Sequence, residues 1–267
     1  MGAFGVAIPV TGLNNGFPGT ISRTNAGEPS ILARLANASN TNNISFGDPV
    51  VLQQDATGGT YTQVADWITN SSGLITPKRS PIAPVTHLLP FGGIAVREVK
   101  TMLQYPLPPG TAQVGYYSPG QMCDVMTRGS ITVKLGVKTG ALAGGPVYLR
   151  ILVDAAVSSA LGSLEAQPDV CLATTMTGAT ITNSIVVASY TNLANGMIVT
   201  GYGIPDGTYI TNVSTTTITL SQNITSIIPA GTPVTFAWTL MLPDVIFRTG
   251  VVDANNVAEI TIESRVG

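Results

Sequence analysis

Residues 173–238 carry a single charged side chain, Asp206, and are dominated by Thr, Ile, Val, Gly, Asn and Ser. A solvated helix takes its outer face from charged residues, and a disordered tail is kept open by like charge, so neither fits this stretch. β-branched residues suit strands, with Thr hydroxyls on the outer face and Gly, Asn and Pro at the turns. Four short strands are expected, at 184–189, 196–200, 208–213 and 216–221. Turn signals separate them at Asn195-Gly196, Pro205-Asp206-Gly207 and Asn223. In the last strand Ile218 and Leu220 form the buried face, and Thr217, Thr219 and Ser221 face water.

Both flanks are different. Ordinary charge precedes the stretch, and Asp244, Arg248, Asp253, Glu259, Glu263 and Arg265 follow it. A small β module inserted into a loop of a larger β domain accounts for the contrast, because loop-closure entropy grows slowly with loop length. In the flanks, strands are expected at 49–53, after the turn Phe46-Gly47-Asp48, and at 93–99, 130–135 and 146–153. Ile131, Val133 and Leu135 point one way, Thr132 and Lys134 the other. The C-terminal strand sets Ala258, Ile260 and Ile262 against Glu259, Thr261 and Glu263. Residues 77–90, with Pro77, Pro81, Pro84 and Pro90, form a long loop, and 105–110 a Pro-rich connection. A short helical turn is expected at 30–37 and one helix at 155–165, interrupted by Gly162. Gly and Pro crowd residues 1–30, which read as an extended arm ordered by contact with a partner. The expected fold is all-β. A barrel or sandwich main domain comprises 31–172 plus 239–267, and 173–238 form a small sandwich-like lobe.

Only 10% of the 267 residues are charged, against about 25% in typical soluble domains, and the net charge is −2. Surface charge keeps free monomers apart, so this chain is a candidate for permanent assembly. The 12 Lys and Arg residues are scattered and outnumbered by 14 acids, which argues against nucleic-acid binding. Residues 1–22 lack the basic start and continuous apolar core of a secretion signal, and no apolar run is long enough for a membrane helix. Synthesis in a cytoplasm without export is the expectation.

Catalytic chemistry finds little footing. Cys123 and Cys171 form no metal motif and read as small free core residues, although a bridge between them stays open. His87, the lone histidine, sits in the Pro-rich loop without Cys or His partners. Asp154, Glu165 and Asp169 could pair as general acid and base, but solvated charges around a short helix are the plainer reading. Gly201-Tyr202-Gly203 begins like a phosphate loop, lacks the rest, and reads as a β-turn. Asn-x-Ser/Thr triplets begin at Asn37, Asn43, Asn70, Asn212 and Asn223, as expected by chance in such a composition. Trp67, Tyr116 and Tyr117 are candidates for a carbohydrate face but scatter as core residues do. No cofactor, metal or small-molecule ligand is expected.

Five segments follow in order: Phe46-Gly-Asp-Pro-Val-Val51; Phe91-Gly-Gly-Ile-Ala-Val-Arg97; Tyr117-Ser-Pro-Gly120 running into 124–133; Gly144-Gly-Pro-Val-Tyr148; and Phe247-Arg-Thr-Gly250 continuing to 257–261. The series resembles the structural cement (capsid decoration) proteins of tailed bacteriophages, over roughly residues 10–172 and 239–265. Residues 196–201 and 203–208, with Ile210, Val213 and 216–221, resemble small β modules of phage virion proteins, and this insert departs from the plain cement pattern. The resemblance implies a virion protein, not an enzyme. It would be made in the bacterial host cytoplasm and would bind the capsid surface across seams between major capsid protein subunits, stabilising the head against internal DNA pressure. It further implies a homo-oligomer, with a trimer favoured and a dimer the alternative. Partner contact is expected from Phe4, Phe17 and Arg23 in the arm and from Lys78 and Arg79 in the loop. The competing reading is a surface-displayed carbohydrate-binding or adhesin-type β module on the virion.

Overall fold

The computed structural model describes residues 17–23, 29–53, 59–70, 91–97, 115–137, 140–154, 159–177 and 181–263. Strands β1 (Ile21–Arg23), β2 (Ser30–Leu35), β3 (Ile44–Ser45), β4 (Pro49–Gln53) and β5 (Thr60–Gln63) lead into helix α1 (Val64–Asn70). β6 (Phe91–Ala95), β7 (Tyr116–Tyr117), β8 (Met122–Lys134), β9 (Pro146–Arg150) and β10 (Leu164–Glu165) follow. β11 (Val170–Thr175), β12 (Ser184–Val186), β13 (Ile198–Gly201), β14 (Ile210–Ser214), β15 (Thr217–Leu220) and β16 (Pro233–Ala237) span the uncharged region. The chain returns through β17 (Thr239–Val252) and β18 (Val257–Ile262). The fold is all-β, as the strand patterns require.

The thirteen-residue β8 organises the main domain. Its first half pairs with β2 on one edge and β6 on the other, and the sheet continues through β4 to β5. A parallel bridge between Ala36 and Tyr61, with the Asn37 N–H donating to the Tyr61 carbonyl, brings β2 back against β5. Ile44, Phe46, Val50, Tyr61, Tyr117 and Val125 fill this barrel-like half. The second half of β8 pairs with β1 and β18, and the sheet runs on through β17 and β9 to β10. A parallel bridge from Leu135 to Leu164 returns the far edge to β8. Ile131, Val133, Leu149, Phe247 and Ile260 fill this half, with Trp67 and Ile68 of α1. Gly93 allows β6 to lie so close to β8. Its φ is +125°, and a Cβ there would run into the Met126 carbonyl oxygen.

The inserted region is a sandwich of two three-stranded antiparallel sheets, β11-β16-β13 and β12-β15-β14. Met176, Ile185, Val199, Ile210, Ile218, Leu220 and Phe236 are buried between them. Ile218 and Leu220 point inward, and Thr217 points out, as the alternation demands. β11 begins at Val170, ahead of the compositional boundary at 173.

Several local expectations give way. Residues 30–37 are the strand β2 and not a helical turn, because the free edge of β8 supplies hydrogen bonds that an isolated turn lacks. The helix expected at 155–165 is absent from the described part of that range. The chain turns at 160–163, with Gly162 at φ +80°, and Leu164–Glu165 pair with β9. Among the described residues the helix lies at 64–70, where Val64, Trp67 and Ile68 give the i, i+3, i+4 spacing of one buried face. Thr132, Glu259 and Thr261, on the polar faces of their strands, are buried. The N-terminal segment covers two of them: the Thr132 hydroxyl donates to the Phe17 carbonyl, and the Ser22 hydroxyl donates to Glu259. Thr261 shares a hydrogen bond with Ser130 across the strands.

Candidate interaction surface

The root of the N-terminal arm is built into the chain's own sheet, so residues 17–23 need no partner to order them. Gly19 donates to the Thr132 carbonyl, Thr132 donates back to Thr20, and Arg97 donates to Gly19. A Cβ on Gly19 would sit 2.9 Å from the Gly47 nitrogen, and φ there is +80°. Only glycine lets the arm lie this close to the turn before β4. Beyond this anchor Phe17 stands 62% exposed, with the Arg97 guanidinium carbon 4.4 Å from its ring centroid. A cation over an aromatic face holds the ring in place while leaving it available. Of the expected contact residues, Phe17 is thus displayed, and Arg23 lies in β1 opposite Ser130. Phe4, Lys78 and Arg79 lie outside the described residues, as does His87.

A second exposed apolar face lies on β2 and the start of β8. Ile31, Ala33 and Leu35 alternate outward, and Leu35 stands opposite the exposed Met122. Hydrophobic residues on the outer face of an accessible sheet are what a protein partner's footprint requires.

The charges between the two barrel halves and the module are structural. Arg150 is fully buried. Its Nε donates to Glu165 at 2.6 Å, and its Nη2 donates to Glu165 at 3.1 Å and Asp169 at 2.6 Å. Burial alone would lower the guanidinium's pKa, but the two carboxylates outweigh it and raise it. The Ser159 hydroxyl also donates to Glu165, and the Asp169 N–H donates to the Thr239 hydroxyl. This cluster ties β9, the outgoing chain and the returning chain where the module joins the main domain. Glu165 and Asp169 are therefore neither an acid–base pair nor solvated charges. Their carboxylates are both held by Arg150, on the neighbouring strand β9.

Neither cysteine is poised for chemistry. Both are free thiols. Burial, with the Asp124 and Asp48 charges, pushes Cys123 far above its ordinary value. Burial and the charges of Asp154 and Asp169 push Cys171 up as well. Cys171 is only half-buried, so one of the two expected core thiols sits at the module's margin. Among the described residues no group of three or more His, Cys, Asp or Glu side chains could hold a metal ion, and no helix is long and apolar enough to cross a membrane. Trp67 and Tyr117 are core residues, the latter donating its hydroxyl to the Val96 carbonyl. Tyr202, in the turn Gly201-Tyr202-Gly203, is among the most exposed aromatics of the described residues. A turn glycine beside an aromatic in a neutral segment was the available signal.

Comparison with known proteins agrees with this architecture. The family model "Structural cement protein (E217 gp24/Pam3 gp6)" matches residues 9–203, which takes in β1 to β10 and continues into the module as far as β13. A comparison with curated proteins gave no significant match. With most of its length matched, the chain belongs to the phage structural cement protein family.

Proposed function

We propose that this chain binds the outer surface of a phage head across seams between major capsid protein subunits and holds the shell closed against the pressure of packaged DNA. Family membership is the observation that carries the reading. The anchored arm root with its displayed Phe17, and the apolar face of β2 and β8, supply surfaces suited to it. One footprint of standard size gives modest affinity after the entropic cost of association. A homo-oligomer, with a trimer as the favoured form, links several footprints so that release requires all to let go together. Residues 1–16 continue from the fixed root and, with Lys78 and Arg79, are assigned to capsid contact. Sedimentation of purified chain with undecorated heads tests this. Wild-type protein should pellet with the heads at a fixed stoichiometry, and deletion of 1–16 or the double change K78A/R79A should weaken binding. A chain that stays in the supernatant at all concentrations contradicts the reading.

A further inference from the structure

The inserted module has a root and a tip. At the root Val170 pairs with Ala237, Trp238 donates to the Asp169 carbonyl, and Arg150 clamps the crossing chains. Gly196 lies against Leu152 at this end. β13 then runs away from the root to Gly201, opposite Val234, so the turn at Tyr202-Gly203 lies at the far end. Three loops meet there. The Gly203 carbonyl accepts from the Thr225 N–H at 2.8 Å and from its hydroxyl at 3.1 Å. Gln222 donates to the Asp206 carbonyl at 3.5 Å, and the Ile224 N–H donates to Thr182. These ties fix loops 181–183, 202–207 and 222–228 against one another.

The tip displays single apolar side chains between neutral polar ones. Tyr202 is 66% exposed, Ile227 69% and Ile181 59%. Asp206, Asn223 and Asn183 are exposed among them, with Gln222 half-buried. An exposed ring offers a flat apolar face to the C–H side of a pyranose, while a carboxylate accepts from vicinal hydroxyls and carboxamides both accept from and donate to them. No Lys or Arg occurs anywhere in 173–238, so nothing there can pair with an anionic sugar or a phosphate, and Asp206 repels both. The apolar groups are interrupted by amides and hydroxyls, unlike the continuous apolar centre of a protein footprint.

We propose that the tip of the inserted module binds a neutral glycan, with Tyr202 as the stacking platform and Asp206, Gln222 and Asn223 as hydrogen-bonding groups. This activity is separate from capsid binding and does not depend on it. The root clamp gives it physical sense, since a module fixed at one end presents its other end in a constant direction.

The full-length chain, applied to an array of neutral and anionic oligosaccharides and then titrated calorimetrically with the best neutral ligand, tests the proposal. Neutral glycans should be retained. Y202A should weaken binding about tenfold or more, and Y202F, which keeps the ring, should retain most of it. The melting temperature and head binding of both variants should match wild type, because the side chain is mostly in solvent. Failure of the wild-type chain to bind any neutral glycan, or binding of anionic ones alone, overturns the proposal. So does a Y202A protein whose oligomeric state or head binding changes while its glycan binding does not, which would make the tip a protein interface.

Discussion

Two aspartates, Asp66 buried and Asp48 half-buried, titrate in opposite senses. Burial works to raise the pKa of Asp66, but its carboxylate accepts from the Thr41 N–H and hydroxyl and from the Asn42 N–H and side-chain amide, and these bonds lower it below the ordinary value. Its contribution to stability is therefore complete above the unfolded pKa near 4 and is lost as pH falls through the lower folded value. Asp48 is the reverse. Burial raises its pKa despite bonds from Ser45 and Gln63, so its ionised form burdens the fold at neutral pH, and that burden lifts as pH falls through the raised value. Chemical denaturation across pH should show a gain in mildly acid buffer that D48N abolishes, followed by a loss in stronger acid that D66N removes. At pH 7, D66A should cost about 3 kcal/mol, read from the urea midpoint. Arg150 sets the largest single-residue expectation. R150A leaves Glu165 buried without its partner and should cost about 3–5 kcal/mol, whereas joint replacement of Arg150, Glu165 and Asp169 by apolar residues should cost far less. Equal losses in the two variants would show that charge pairing does not hold the root.

At the scale of elements, the strands most readable in the sequence were those with one wet face. Ile218 and Leu220 against Thr217 gave β15 without ambiguity. Alternation marks the two faces of β18 but not that Glu259 and Thr261 are buried by partners more than a hundred residues away. Alternation shows that two faces differ, and it cannot show that both are covered. The same limit hid the Arg150 cluster. Its members lie on β9, β10, the loop before β11 and the start of β17, and only strand pairing brings them together. The Ala- and Leu-containing run 155–165 suggests a helix, but Gly162 makes a turn there at φ +80°, while the seven residues of α1 are too few for a periodic signal. The change in charge at 173 falls inside β11, which begins at Val170. β11 and β16 pair at the root, with Leu172 opposite Phe236, so a short turn can join them directly. A chain with 174–234 replaced by a two-residue Asn-Gly turn should therefore keep a cooperative melt and the far-UV spectrum of a β protein. Loss of cooperative unfolding in that variant would make the module part of the main fold.

The whole molecule is sparse in charge, glycine-hinged at close contacts and built around one long strand shared by two barrel-like halves. It belongs to the phage structural cement protein family. The proposed capsid role requires that bound chain raise the resistance of heads to rupture. The direct measurement is the temperature at which DNA-filled heads release their genome, recorded by dye accessibility with and without saturating purified chain. The account predicts a rise of several degrees that follows occupancy and is lost when residues 1–16 are removed. Heads that carry the chain at full occupancy yet open at the same temperature as bare heads would contradict it.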